Sequence, residues 1–91
     1  MEQLALHGLR KRVLHLLSTL GAKFGVNQDG YALIDLPLSH QEIANMIGAS
    51  REAVSSVMSE LAKEGVVKTS HLSVQLAVTI LEENIPQNST H

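Results

Sequence analysis

Hydrophobic positions recur along this chain with two different periods. Leu9, Val13, Leu16, Leu17, Leu20 and Phe24 fall at steps of three and four residues, which predicts one core-facing helix closed by Gly21 or Gly25, the latter preferred. Residues 1–8 carry Leu4 and Leu6 and stop at Gly8, so they read as a short preceding segment. Asn27-Gln28-Asp29-Gly30 is a turn sequence, and Tyr31 to Leu36 then alternates loosely with β-favourable residues, predicting a short strand that Pro37 does not allow to continue. Beyond Gly65, Val66-Val67 opens another strand, Thr69-Ser70-His71 turns, and Leu72, Val74, Leu76 and Val78 alternate as its partner. Thr79 to Asn84 has the length of a helical turn, and the polar stretch from Pro86 reads as a disordered tail.

The chain is organised around Pro37 to Lys68, where two helical patterns follow each other with almost nothing between them. Ser39 is placed to accept from free amides of the first turn while Glu42 reaches back, the two halves of a capping box. Ile43, Ala44, Met46 and Ile47 supply that helix with a buried side, and Gly48 ends it. After Ala49, Ser50 caps a second helix whose Val54, Val57, Met58 and Leu61 share one face. Glu52, Ser55, Ser56, Ser59 and Lys63 lie on the opposite face, with Arg51 at its edge. Two helices joined by a glycine-containing turn, the second amphipathic, form the helix-turn-helix arrangement, whose second helix enters the major groove of DNA. The fold class read from these patterns is α+β, mainly α: a winged helix-turn-helix with three main helices and a small antiparallel sheet serving as the wing.

The run His40-Gln41-Glu42-Ile43-Ala44-Asn45-Met46-Ile47-Gly48-Ala49-Ser50-Arg51-Glu52-Ala53-Val54 resembles the C-terminal DNA-binding domain of the Crp/Fnr family of bacterial transcription regulators. Ala49 to Val54 is the most specific part, with a Ser-Arg-Glu opening on the second helix; the Phe24-Gly25 pair, Leu33 to Ser39 and the wing after Gly65 add to it. The resemblance covers Ala5 to Val78. It implies that residues 1–8 are the end of a dimerisation helix and hinge, that 9–78 are the winged helix-turn-helix domain, and that 79–91 are a short helical turn and tail. It also implies a homodimer at full length, binding to two-fold DNA sites, contact with RNA polymerase, and a sensor domain holding a small-molecule effector. That sensor is not among these residues, so the chain is read as a fragment of a longer regulator or, alternatively, as a protein that has only the reader, and no cofactor is expected in it. Several members of the family carry an arginine where Ser56 stands here.

Composition narrows the chemistry further. Ninety-one residues suit one small domain, and the absence of cysteine rules out disulfides and thiolate chemistry. There is no glycine-rich phosphate loop, no Ser-His-Asp set and no cofactor fingerprint, so an enzyme is not expected. No two of the five histidines have the spacing of a helical metal site, and they are read as isolated surface residues. The opening Met1 to Gly8 has neither a signal-peptide nor a membrane-span pattern, so a cytoplasmic protein without membrane contact is expected. Seven Lys and Arg against nine Asp and Glu give a net charge of −2, unusual for a nucleic-acid binder. The stretch from Ser39 to Lys68 has no positive surplus, so phosphate contact would lean on backbone amides and hydroxyls as well as on Lys63 and Lys68.

Each candidate residue has a plainer reading beside its functional one. Arg51 follows directly on a cap, which favours base or phosphate contact over a merely solvated first-turn residue. Glu52 stabilises the helix dipole in any case, and its carboxylate is also an acceptor suited to a cytosine amino group. Ser55, Ser56 and Ser59 are poor helix formers, and short hydroxyls let a backbone approach DNA closely; an ordinary exposed face is the plain alternative. Ser39, His40, Gln41, Ser50 and His71 complete the set of expected DNA contacts. Two functions from different classes result: sequence-specific reading of double-stranded DNA, and a winged-helix module for protein contact, which the acidic balance favours.

Overall fold

Leu9, Val13 and Leu17, four residues apart, are buried along one side of a helix, and the whole structure is laid against that side. The computed structural model describes residues 2–70 and 73–80. In chain order it contains α1 (Glu2–Phe24), β1 (Gly25–Gln28), β2 (Tyr31–Ile34), α2 (His40–Ile47), α3 (Arg51–Lys63), β3 (Val67–Ser70) and β4 (Ser73–Ala77). One continuous core joins Leu9, Val13 and Leu17 of α1 to Ile43 and Ala44 of α2, Val54, Val57, Met58 and Leu61 of α3, and the inward residues of the sheet.

The strands form one antiparallel sheet in the order β1-β2-β4-β3. Strand residues alternate between its faces: Ala32, Ile34, Val67, Val74 and Leu76 are buried, whereas Lys68 is exposed and Tyr31 and Gln75 are half-buried. The wing is the β3–β4 hairpin, with Ser70 paired to Ser73. The expected winged helix-turn-helix, three main helices with a small antiparallel sheet, is the fold observed.

Both capping expectations hold in atomic detail. Ser39 Oγ accepts from the Glu42 amide at 3.1 Å, and the Ser39 amide donates to Glu42 Oε1 at 3.1 Å. Gly48 adopts φ 72° and ψ 41°, a left-handed conformation that would strain any residue with a Cβ. Ser50 then starts α3, its Oγ accepting from the Ala53 amide at 3.1 Å.

Four expectations are corrected. Gly8 does not end a segment; it lies inside α1, where a mid-helix glycine costs about 1 kcal/mol and the helix-favouring neighbours carry the turn through it. Val26 to Gly30 is not merely a turn, because β1 pairs with β2 around Asp29 and Gly30, both at positive φ, as a two-residue hairpin turn requires. All four β1 residues are exposed, so no alternation announced that strand. Strand β2 stops at Ile34 rather than Leu36: the Asp35 amide makes a last ladder-like bond to the Phe24 carbonyl, and the Leu36 amide then turns back to the Ile34 carbonyl, bending the chain away. Phe24 and Met46, both read as core, lie in the last turn of their helices and are 45% and 53% exposed.

The readings of His71, Leu72, the helical turn from Leu81 to Asn84 and the tail from Pro86 fall outside the described residues, although residues 78–80 are helical. Among the described residues, no helix is long and apolar enough to cross a membrane.

The contrast between core and rim can be measured. Leu61→Ala, at a fully buried position, is expected to lower stability by about 2–5 kcal/mol in urea unfolding. Phe24→Ala is expected to cost clearly less, because its ring is already half wetted.

Candidate nucleic-acid interface

Helix α3 is split along its length. Val54, Val57, Met58 and Leu61 are buried in the core, while Arg51, Glu52, Ser56, Ser59 and Lys63 are exposed. Among the described residues none of those five makes a hydrogen bond or ion pair, so their polar groups are free to meet a ligand. Ser55 is half-buried and stands apart from them. It is bonded at 2.7 Å to His40 Nδ1, which makes His40 a half-buried bridge between α2 and α3 rather than an isolated surface histidine.

The structure brings most of the expected contacts together at two helix starts and along the outer side of α3. Ser39, His40 and Gln41 open α2; Ser50, Arg51 and Glu52 open α3. The Ser39 and Ser50 hydroxyls accept from their own helices' amides, and Gln41 Nε2 donates to Asn45 Oδ1 at 2.9 Å. Free backbone amides at such helix starts attract anions. Lys68 sits apart on the wing, its Nζ 4.3 Å above the Tyr31 ring. Tyr31 in turn donates its hydroxyl to the Gly65 carbonyl at 2.6 Å, tying β2 to the turn after α3. His71 lies outside the described residues.

Two arginines of α1 are used inside the fold. Arg10 forms a two-pronged hydrogen bond with Glu64 beyond the end of α3, at 3.1 and 2.5 Å, with Glu60 3.9 Å away. Arg12 donates to the Ile47 carbonyl, a cation meeting the negative end of α2. Thus two arginines on one helix fasten the C-terminal ends of the other two and leave the N-terminal ends of α2 and α3 open.

That arrangement changes the charge account. The single charge of Arg10 is shared between Glu64, at 2.5 Å, and Glu60, at 3.9 Å, while Glu42 is engaged in its capping box. On α3 itself Arg51 and Lys63 stand against Glu52 and Glu60, an even balance in which the acid nearest the C-terminal end is partly countered by Arg10. Sequence reasoning missed Arg10, Arg12 and Tyr31, whose partners lie 54, 35 and 34 residues away. No local signal marks contacts of that range.

Comparison with known proteins agrees with this geometry. A family model described as a Crp-like helix-turn-helix domain matches residues 11–83. The anaerobic regulatory protein of Bacillus subtilis is 31% identical over 67 residues, 74% of this chain and 28% of that protein. A CRP-like cAMP-activated global transcriptional regulator of Mycobacterium tuberculosis is 32% identical over 66 residues, 72% of this chain and 30% of its own length. Among solved structures, the CO-dependent transcription factor CooA from Carboxydothermus hydrogenoformans superimposes with a TM-score of 0.76 at 24% identity, covering 89% of this chain and 38% of that one; at such identity the likeness speaks for the fold alone. The chain spans about a third of the length of these proteins.

The clamp on α3 has a pH signature. The hydrogen bond from Arg10 holds the Glu64 carboxyl below the ordinary glutamate range, and the same bond raises the Arg10 guanidinium. A lowered carboxyl pKa contributes stability that is fully present above the unfolded-state value and is lost as pH falls through the folded-state value. The difference in urea midpoint between the wild type and Glu64→Gln is therefore expected to be largest near neutrality and to close as pH drops below the ordinary carboxylate range.

Proposed function

Because the chain belongs to the Crp-like helix-turn-helix family, we propose that it is the reader domain of a bacterial transcription regulator, binding double-stranded DNA in a sequence-specific way with α3 in the major groove. The observation that carries this reading is the split of α3. Its apolar side is fully committed to the core, while Arg51, Glu52, Ser56, Ser59 and Lys63 present unengaged donors and acceptors on the other. Arg51 offers a planar fork that matches the two acceptors of guanine, and Glu52 an acceptor for a cytosine amino group. Lys63, Lys68 and the free amides opening α2 are the phosphate contacts.

Homodimerisation and a small-molecule effector belong to the same proposal, as properties of length that the relatives have and this chain does not span. Contact with RNA polymerase and action in the cytoplasm belong to it as well; no cofactor is assigned to this chain. In a two-fold assembly, paired recognition helices stand about 34 Å apart, one turn of the duplex. The net charge of −2 favours the other reading, a module for protein contact. Duplex titration separates them: a reader binds generic DNA with an affinity that falls steeply with salt, and an interaction module shows no such binding.

Residue roles along α3 are tested by paired substitutions. Arg51→Ala is expected to cost about 1–3 kcal/mol on the best site and to relax preference at one base pair, as seen by selection from a random library. Lys63→Ala is expected to weaken all duplexes alike and to flatten the salt slope by about one. Equal, sequence-independent losses for both would remove Arg51 from base reading.

Ser56 gives a further test. One hydroxyl separates the four bases poorly, so the site is expected to be loose at the pair facing Ser56, where several family members carry arginine. Ser56→Arg is expected to raise affinity for generic DNA and to add a guanine preference at one position of the selected site. An unchanged selected sequence from a folded Ser56→Arg protein would contradict the placement of this helix face against the bases.

A further inference from the structure

We propose that Ser55 is a positioning residue rather than a base reader: its hydroxyl holds the His40 imidazole so that the outer ring nitrogen, Nε2, presents an N–H to a phosphate of the DNA backbone. This rests on the reading of the domain as a DNA binder and assigns the two residues distinct roles within it.

The geometry starts from the first residue of α2. His40 Nδ1 lies 2.7 Å from Ser55 Oγ in a partly buried contact that joins the two helices of the motif, fifteen residues apart. Nδ1 is the ring nitrogen nearer the main chain, so bonding through it turns Nε2 away from the α2–α3 contact. Nε2 makes no hydrogen bond among the described residues and is not a buried orphan, which leaves it open to solvent. In a helix-turn-helix the first helix crosses the DNA backbone while the second lies in the groove, so a donor at the start of α2 faces phosphate.

The chemistry then selects one arrangement. With a neutral ring, Ser55 donates to Nδ1 and the proton resides on Nε2, pointing a donor outward. The opposite tautomer would have Nδ1–H donating to Ser55 Oγ and would turn an Nε2 lone pair toward the phosphate oxygens, which repels them. A protonated ring donates from both nitrogens, to Ser55 Oγ and to phosphate, and keeps the same orientation. In every arrangement that tolerates phosphate, the serine fixes the ring plane before DNA arrives, and less order has to be imposed on binding. Ser55 is also half-buried where Ser56 and Ser59 are exposed, consistent with a hydroxyl directed at a protein partner.

A double-mutant cycle tests this on the full 91-residue chain, using a selected site and a scrambled duplex. Ser55→Ala introduces a better helix former and is expected to fold, as thermal melting checks. Ser55→Ala and His40→Ala are each expected to weaken both duplexes alike, with about a tenfold loss for His40→Ala. The double variant is expected to bind no more weakly than His40→Ala alone. Ser55→Thr, which keeps the hydroxyl, is expected to retain affinity, and the selected sequence is expected not to change in Ser55→Ala. Nitrogen-15 spectra of His40 test the bond itself: the ring nitrogen shifts of the free protein should change in Ser55→Ala and return in Ser55→Thr, and the double-mutant cycle then tells whether that bond serves DNA contact. Additive losses, or an altered selected sequence in Ser55→Ala, would overturn the role of Ser55 while leaving DNA reading intact. Absence of salt-dependent binding by the wild type would overturn the DNA reading and this role together.

Discussion

The fold depends on α3 serving two surfaces at once. Val54, Val57, Met58 and Leu61 are inseparable from the core formed with α1, α2 and the sheet, so the helix cannot roll about its axis without exposing apolar surface. At about 25 cal/mol for each Å² of apolar surface, even a modest roll is costly, and the opposite face is thereby held in one orientation. Everything the domain offers outward inherits its precision from that burial. The capping serines, the left-handed Gly48 and the His40–Ser55 bond then fix the position of α2 relative to α3.

Electrostatics acts here by pairing more than by sum. A chain of net charge −2 is a poor prospect for attracting a polyanion, yet three of its acids are engaged by other groups of the fold. Arg10 is drawn to Glu60 and Glu64 at one end of α3, and Glu42 completes a cap. The cost is that Arg10 and Arg12, two of the three consecutive cations on α1, serve internal contacts, and Lys68 lies over Tyr31. Under the proposed function, a domain built this way gains little non-specific attraction and relies on fit at the few residues that are free.

How much was legible in the sequence follows from the range of the interactions. The capping box at Ser39, the stop at Gly48 and the cap at Ser50 are set by residues three or four apart, and each was readable because its physics is local. The buried stripe of α3 was readable for the same reason. Met46 was misread because periodicity gives only the approximate direction of a side chain, and Met46 lies at the edge of the buried face set by Ile43 and Ala44, beside an open groove. Strand β1 left no signal, being exposed at every residue and held by main-chain bonds alone. In the candidate site, the outward residues of α3 were legible, whereas the serine that turns inward to His40 could not be told from its neighbours until the two helices were set side by side.

The exposure of Met46 bears on how the domain ages in an oxidising environment. Its thioether lies in the open at the end of α2, beside a groove of about 470 Å³ lined also by Arg12, His15 and Leu16, whereas Met58 is sealed in the core at 2% exposure. Oxidants therefore reach Met46 before Met58. Conversion to the sulfoxide there adds a polar group to a surface that water already touches and leaves α3 seated, whereas the same change at Met58 would place that group among Leu61 and its packed neighbours. Oxidation at Met46 is thus compatible with the packed core, whereas oxidation at Met58 is not.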